Sequence, residues 1–394
     1  MLAVSIPLSL AATNIAKLLA FLASIAVLAG TLRGRPLDPA LRGLRSPIVA
    51  LLMLAALVLS LGYTTATSQA GAAGDALKYL KLLLIPAIVL LIRTPREALL
   101  ALMIYVASQT FVVATSWLLY LGAPVFWVPP VRNSVATVYS SYLDQTIMTA
   151  AFAAICWHLR HQFPLRRGAW IGAGLAAFAL VNALVMLPGR SGHVAAIGVM
   201  SLAVLWAAPP KWRIPALAAP VVLVAAAMAL SPQFNQRLMT AVHETKAYQA
   251  NDPTPSSSGQ RLIFWTRSLQ LIQQRPLTGF GAGSWNREFQ RLEAADGRAA
   301  PGMVHVRNPH QEYLLWGVML GVGGIVLLLA FMAAVVRDAW RLRKPVRHAT
   351  VSVVAVLAIA CLFNSSLFDA LIGEYFCIMF GLLLALGLRE RPAA

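Results

Sequence analysis

Long apolar runs recur along the whole chain and constrain its fold more than any other feature. Many are about 18 to 23 residues long, enough for a helix to cross the hydrocarbon core of a bilayer. Because lipid cannot satisfy backbone hydrogen bonds, such runs predict helices. With 59% hydrophobic and only 12% charged residues, the composition excludes an ordinary soluble domain. The runs lie near 11–32, 47–66, 77–92, 98–120, 136–158, 169–187, 192–208, 214–231, 312–336, 349–367 and 374–388.

These eleven runs predict an all-α polytopic membrane protein with a single helical bundle. A twelfth helix is predicted if residues 2–32, which contain Pro7 and Lys17, form two short helices. No cleavable signal peptide stands apart from the first run, so we expect that run to stay in the mature chain. Within this one membrane domain we expect N-terminal transmembrane helices in 1–231, an extramembrane loop in 232–311 and C-terminal transmembrane helices in 312–394.

The net charge of +18 reflects topology and does not indicate a nucleic-acid partner. Eighteen of the 32 Lys and Arg residues fall in short clusters that alternate with the apolar runs. Such clusters are typical of cytoplasmic loops, so the C-terminus is predicted to be cytoplasmic. The clusters are Arg33/Arg35/Arg42/Arg45, Arg93/Arg96, Arg160/Arg166/Arg167, Lys211/Arg213, Arg337/Arg341/Arg343/Lys344/Arg347 and Arg389/Arg391.

The interval 232–311 is the only long polar stretch, with nine Lys or Arg and five Asp or Glu residues. Its pattern predicts two or three amphipathic helices, broken at 252–259 and at the glycine-rich 275–285. The alternation of basic clusters places this loop on the outer face, together with 188–193 and 367–374. Most connections are only a few residues long, so a loop of this size indicates function.

His310 is the first candidate for chemistry. Asn308 suits a helix N-cap and Pro309 the first helical position, which predicts His310 in the first turn of a membrane helix. The positive end of the helix dipole would lower the pKa of the ring and keep it neutral, able to accept a proton. The alternative is an interfacial histidine that only anchors the helix.

Four arginines are candidates for binding an anion. Arg190 lies in PGRSGH, a short outer loop where arginine is disfavoured, although contact with lipid phosphate would explain it equally well. Arg261 follows helix-capping serines on an amphipathic helix, which could also lie on the membrane surface. By composition alone, Arg267 and Arg275 are equally plausible contacts.

Among the carboxylates, Asp144 lies within an apolar run, where a charged residue is a functional candidate by default. Asp369 is a candidate for helping an acceptor to bind.

No DxD or HExxH motif is present, and the three cysteines lie in apolar runs without CxxC spacing, so neither a metal site nor a disulfide framework is expected. The glycine-rich GFGAGSW lacks the Lys-Ser/Thr of a nucleotide-binding loop and is interpreted as a tight turn.

A basic site on the outer face with one neutral histidine suits transfer from a diphosphate-activated donor. Arginine can neutralise the leaving diphosphate with two parallel hydrogen bonds. The incoming hydroxyl needs a base, and His310 can provide it.

Four segments together resemble the O-antigen ligase and polymerase superfamily: PGRSGH, SSGQRLIFW, RPLTGFGAGSW and NPHQEYLLWGVMLG. The resemblance implies about twelve transmembrane helices, similar to the C-type glycosyltransferases, with a large helical periplasmic loop. It implies action on undecaprenyl-diphosphate-linked glycans at the periplasmic face of the bacterial inner membrane, without nucleotide sugars, a cofactor or an essential metal. Matched to the family motifs, Arg190 and Arg261 would bind the diphosphate and His310 would be the base. NPHQ departs from the His-Asn of many relatives.

Within the superfamily, the short C-terminal end and the single long outer loop look more like the lipopolysaccharide ligase. That resemblance implies inverting transfer of O-antigen onto a terminal sugar of lipid A–core. Asp144, Arg267 and Asp369 are candidates for supporting roles on the grounds of placement and composition given above. An O-antigen polymerase and a protein O-oligosaccharyltransferase stay open as alternatives. A transporter of lipid-linked sugars would favour charged residues along the spans; Lys17, Lys78, Lys81 and Asp144 come near this, without an obvious pairing.

Overall fold

The computed structural model describes residues 1–33, 38–230, 235–236, 239–240, 257–297 and 306–390. All regular structure in these ranges is helical. The N-terminal helices are α1 (Leu2–Leu8), α2 (Leu10–Leu32), α3 (Pro39–Arg42), α4 (Ser46–Ser60), α5 (Gln69–Leu77), α6 (Leu84–Leu91), α7 (Pro95–Tyr120), α8 (Tyr142–Leu159), α9 (Gly168–Val181), α10 (Arg190–Ala207), α11 (Arg213–Ala216) and α12 (Ala219–Leu230). The later helices are α13 (Ser257–Gln274), α14 (Trp285–Ala295), α15 (Glu312–Trp340), α16 (Lys344–Phe363) and α17 (Ala370–Arg389).

Seven helical segments in the described ranges are long and apolar enough to cross a membrane, fewer than the eleven or twelve predicted. The difference has local causes. Helix α4 has only 15 residues and α12 only 12. The run at 77–92 is divided between a 3-10 turn and α6, and α8 begins with polar residues. The chain is an all-α polytopic membrane protein, while twelve spans and the C-type architecture stay predictions. The seven are Ala11–Gly30, Pro95–Tyr120, Gly168–Met186, Arg190–Ala207, Glu312–Trp340, Lys344–Phe363 and Ala370–Arg389.

Helices α8 and α17 form the centre of the bundle. Every residue of α8 from Gln145 to Cys156 is buried, and so is every residue of α17 from Ile372 to Gly387. This enclosure keeps polar side chains such as Gln145 on α8 and Glu374 on α17 away from lipid, where they would be costly. Helix α2, by contrast, exposes Ile15, Leu18 and Leu22, as expected of a helix at the bundle's lipid-facing edge.

Contacts between loops gather the basic clusters at one end of the bundle. The buried carboxylate of Asp338 accepts hydrogen bonds from the backbone N–H groups of Arg45 and Ser46, at 2.8 to 3.0 Å. The Arg389 guanidinium pairs with Asp38 and donates to the Ile92 carbonyl at 2.9 Å. Loops that the alternation of charge assigns to the cytoplasm therefore lie together.

The glycine-rich segment is a tight turn, as the sequence predicts, and it is inserted between two other parts of the chain. The Phe280 and Gly281 N–H groups donate to the Val318 and Met319 carbonyls, at 2.8 and 2.9 Å. Gly281 has φ +86°, and a Cβ there would lie 2.5 Å from the Thr64 Cα, so only glycine fits. Helix α15 breaks at Gly321, whose φ is +66°, to admit this turn. The polar loop is thereby fastened to a membrane helix.

Candidate active site

Arg190 is the first residue of α10, at a tightly packed junction. Helix α9 ends in a π turn over Asn182–Met186, a rare geometry that is frequent at functional sites. Gly189 follows and lies against α8, where a Cβ would come within 2.5 Å of the Thr146 Oγ1. Small residues let two helices approach closely, and this contact explains the glycine before Arg190. The Arg190 Nη1 donates to the Ser258 Oγ at 2.8 Å.

Arg261 lies three residues after Ser258 on α13 and therefore on the same face of that helix. The two residues share with Arg190 the wall of a cavity of about 190 Å³. The opposite part of the wall is apolar, so the cavity joins two guanidinium groups to a hydrophobic surface. The other lining residues are Ser191, Val194, Leu262, Trp265 and Phe363.

His310 does not lie in a helix, which corrects the prediction from the sequence. Helix α15 begins at Glu312, and its N-cap is Gln311, whose side chain accepts from the Leu314 N–H at 3.0 Å. Among the described residues, His310 is the only non-glycine with positive φ, at 52°. Asn308 is not the helix cap because its Oδ1 accepts instead from the His310 N–H, at 2.9 Å. Such a local turn competes with helix capping.

A left-handed histidine costs on the order of 1–3 kcal/mol, so the surrounding structure must hold it there. The Asn308 Oδ1 also accepts from the Ser365 Oγ at 2.9 Å, which links this turn to the segment before α17. Strained residues of this kind cluster at functional sites.

The His310 ring faces the same end of α13 as Arg261. Its centroid lies 6.2 Å from that of Phe264, three residues after Arg261. Burial lowers the pKa of His310, and the Arg261 charge lowers it further. The ring is therefore neutral near pH 7. The sequence analysis expects this direction from a helix dipole, but burial and Arg261 are the causes.

Glu312 is a positioning residue that was not a candidate from the sequence. Its side chain is fully buried and accepts from the Tyr79 hydroxyl at 2.7 Å and the Trp316 Nε1 at 3.0 Å. Its second oxygen accepts from the backbone N–H groups of Leu367 and Phe368, at 2.9 and 3.1 Å. Four donors on one carboxylate hold the start of α15 two residues from His310. The signal in the sequence is an acidic residue opening a long apolar helix.

Arg267 is not brought to the cavity. Its Nε donates to the Glu293 Oε1 at 2.6 Å, its Nη2 pairs with Asp296, and its Nη1 donates to the Gln270 Oε1 at 2.9 Å. Arg267 is almost fully buried by these contacts and fastens α13 to α14. The neighbouring candidate Arg275 lies over the ring of Phe280, 4.7 Å from its centroid.

Asp144 and Asp369 belong to a second polar cluster and lie close enough to interact electrostatically. The buried Lys81 donates to the Asp369 carbonyl at 2.6 Å. Burial raises the pKa of the Asp369 carboxyl, while the charges of Lys81 and Lys78 partly offset this.

The lysines near the spans have partners, which corrects the expectation of no obvious pairing. Lys17 forms an ion pair with Glu374, and Lys78 pairs with Asp75 at 2.8 Å. Within the described ranges, no three His, Cys, Asp or Glu side chains are grouped as ligands for a metal ion. The expectation of a metal-independent and cofactor-independent reaction stays a prediction.

Comparison with known proteins gives one family. Residues 175–329 match the family model described as O-antigen ligase. The matched segment runs from α9 into α15 and so contains Arg190, Arg261 and His310. No curated protein matches the chain. The geometry and the family match agree: the part of the chain that holds these three residues is similar to the O-antigen ligase family.

Proposed function

We propose that this protein transfers O-antigen polysaccharide from undecaprenyl diphosphate onto a terminal sugar of lipid A–core. The observation that carries the proposal is the shared cavity of Arg190 and Arg261, with His310 beside Arg261. Two cations and a neutral base in one place suit a reaction with an anionic leaving group and a hydroxyl nucleophile.

The arginines bind the donor's diphosphate in this proposal. Each guanidinium group can donate two parallel hydrogen bonds to a phosphate, so two of them at one cavity suit the two phosphates of the donor. Trp265, Leu262 and Phe363 line the same cavity and offer an apolar surface to the first isoprene units of the carrier. In this proposal Arg267 has a structural role, because its contacts order the loop. Asp144 and Asp369 lie in the neighbouring polar cluster, and their supporting role is structural as well.

The chemical step is a displacement at the anomeric carbon of the donor sugar. The acceptor oxygen forms the new glycosidic bond while the bond from carbon to diphosphate oxygen breaks and its electron pair leaves with the diphosphate. The acceptor's hydroxyl proton passes to the His310 ring. Attack opposite to the leaving group inverts the anomeric configuration.

The site is proposed to face the periplasm from the inner membrane. The loops with basic clusters meet at the end of the bundle where α15 finishes, near Asp338. His310 precedes the start of α15, and the part of that helix after the break at Gly321 alone extends about 28 Å, close to the thickness of the hydrocarbon core. The two sites thus lie on opposite sides of a bilayer if the basic loops are cytoplasmic.

A polymerase and a protein O-oligosaccharyltransferase would use the same donor chemistry and differ in the acceptor. A transporter is less well supported, because Lys17, Lys78 and Lys81 each have a partner and do not form a path for charge. Cells that lack the protein separate these functions by the product lost: unligated long chains, single repeats on the core, or unglycosylated protein.

The proposal is tested by replacing His310→Ala in cells that make O-antigen. We expect polysaccharide attachment to fall by at least about a hundredfold, the usual range for losing a general base, while lipid-linked polymer accumulates. Arg190→Ala and Arg261→Ala should do the same, with normal insertion in each case. His161→Ala is a matched control because that ring is exposed in a basic cluster at the other end. Normal attachment by the His310 variant would end the general-base role.

A further inference from the structure

A second cavity lies between α5 and α14, outside the arginine site. This α5–α14 cleft has a volume of about 420 Å³, within the range of pockets that bind small ligands. Its walls are mainly polar and its side chains partly or fully exposed, unlike the apolar walls of the arginine cavity. The residues that could bind a ligand are Ser68, Asp75, Asn286, Arg287, Gln290 and Arg307.

Contacts between α14 and the region of α5 fix the shape of the cleft. The Arg287 Nη1 donates to the Thr65 carbonyl at 2.7 Å, which joins α14 to the segment before α5. Gly283, with φ +72°, lies so near α5 that a Cβ would come within 2.7 Å of the Ala72 Cα. These contacts hold the two walls at a set separation, so a ligand would meet a preformed surface.

The cleft is also attached to the frame that positions His310. Arg307 lines the cleft and is three residues from His310, so their Cα atoms are at most about 11 Å apart. On the α5 side, Asp75 pairs with Lys78, whose Nζ lies 3.6 Å from the ring centroid of Phe368. The Phe368 N–H in turn donates to Glu312. A ligand in the cleft would therefore extend toward the reacting groups.

The chemistry of the walls matches a saccharide. Amide and hydroxyl side chains pair with sugar hydroxyls as both donors and acceptors. The two arginines suit carboxylate or phosphate substituents on the sugars. We propose that the α5–α14 cleft binds the saccharide portion of one of the two glycolipid substrates, through Asn286 and Gln290 to hydroxyls and through Arg287 and Arg307 to anionic groups. This inference rests on the proposed transfer function and adds to it a saccharide subsite.

The test uses the purified full-length protein in lipid nanodiscs, with lipid A–core lacking O-antigen and undecaprenyl-diphosphate-linked O-antigen as probes. Asn286→Ala and Arg287→Gln should each raise the KM of one probe about tenfold, as the loss of one or two ligand hydrogen bonds would. The kcat should stay within about twofold, since the cleft does not contact the reacting atoms. A rise for lipid A–core assigns the cleft to the acceptor, and a rise for the lipid-linked polymer assigns it to the donor glycan.

Arg291→Gln is the matched control. Arg291 lies one turn further along α14, and its guanidinium contacts Glu288 and Gln274, away from the cleft. Arg287→Gln also removes the hydrogen bond to Thr65, whereas Asn286→Ala leaves that bond in place, so the second variant separates binding from folding. Thermal midpoints identify any variant that is merely unstable.

Direct binding of each probe, measured by native mass spectrometry, separates this inference from the proposed function. Variants that bind and turn over both probes as the wild type does would overturn the cleft assignment and leave the role of His310 intact. A second outcome is that the wild-type protein shows no transfer activity but binds a probe about tenfold more tightly than Asn286→Ala does. That result would support the cleft assignment and not the proposed function. Wild-type protein that binds neither probe would overturn both.

Discussion

Two arginines on α13 show how differently the same residue type can be used. Arg261 and Arg267 are six residues apart, so they point about 120° apart around the helix. Arg267 faces α14 and is buried against Glu293 and Asp296. Arg261 faces a cavity that it shares with another arginine, and it lies beside His310. Arg267 therefore fastens two helices together, whereas Arg261 lines a cavity.

This difference teaches that what an arginine contacts, more than its residue type, distinguishes a structural arginine from a candidate for binding. When two or three charges are buried together as ion pairs, the loss of one member strongly destabilises the folded protein, because its partner is left buried and uncompensated. Two arginines that line one cavity present hydrogen-bond donors to a space that a phosphate-bearing ligand can enter. The predictions below test this contrast.

The largest effects are expected from one pair of matched changes on α13, beginning with Arg261→Gln. It should lower kcat/KM for transfer by about a hundredfold, comparable to losing one donor to a developing negative charge. Its thermal midpoint should match that of the wild type. An unstable but fully active Arg261→Gln protein would reverse the assignment.

Arg267→Gln should show the opposite pattern. Removing one partner of this buried pair should destabilise the protein by about 3 kcal/mol. The folded fraction should keep its kcat/KM within severalfold. Thermal unfolding in detergent and transfer assays on the same preparation check both quantities, and a stable protein with hundredfold lower activity would contradict the structural role.

The pH dependence of transfer should also depend on Arg261. Only neutral His310 accepts a proton, and its pKa is lowered by burial and by the Arg261 charge. Activity should therefore be fully present above the ordinary histidine value near 6.5 and be lost as the pH falls through the lowered pKa. Arg261→Gln removes one cause, so its acidic limb should move to higher pH. A kcat/KM profile measures this, and a limb that stays or moves to lower pH would disprove the coupling.

The smallest effect is expected from Ser258→Ala. It removes the hydrogen bond of 2.8 Å to the Arg190 Nη1. A bond of this kind contributes on the order of 1 kcal/mol, so the KM for the lipid-linked donor should rise about three- to tenfold. Thr266→Ala, at an exposed position of α13, is the control and should leave the KM unchanged. A hundredfold loss would mean that Ser258 itself takes part in the reaction.

Much of the helical content could be predicted because apolar runs and basic clusters are properties of the chain alone. The choice between Arg261 and Arg267 could not be made from composition, since it depends on which carboxylates of α14 meet which face of α13. The resemblance to a family selected Arg261, and the structure supplies a physical reason for that selection.

The backbone at His310 shows a different limit. Asn308 and Pro309 are good helix-starting residues, and local rules therefore placed His310 inside the helix. In the structure, the Asn308 side chain instead accepts hydrogen bonds from the His310 N–H and from Ser365, which is 57 residues away in the sequence. The lysine pairings were missed for the same reason: Lys17 meets Glu374 only after α2 and α17 have packed into one bundle. Contacts between distant segments carry no local signal.

The most direct test of the account is transfer in vitro with purified lipid-linked donor and core lipid, run with and without a chelator. The account predicts that the wild-type protein forms the ligated product at the same rate in both conditions. It also predicts that His310→Ala forms it at least about a hundredfold more slowly. Normal transfer by the His310→Ala protein, or transfer that stops when the chelator is added, would contradict a reaction driven by one neutral imidazole beside two arginines.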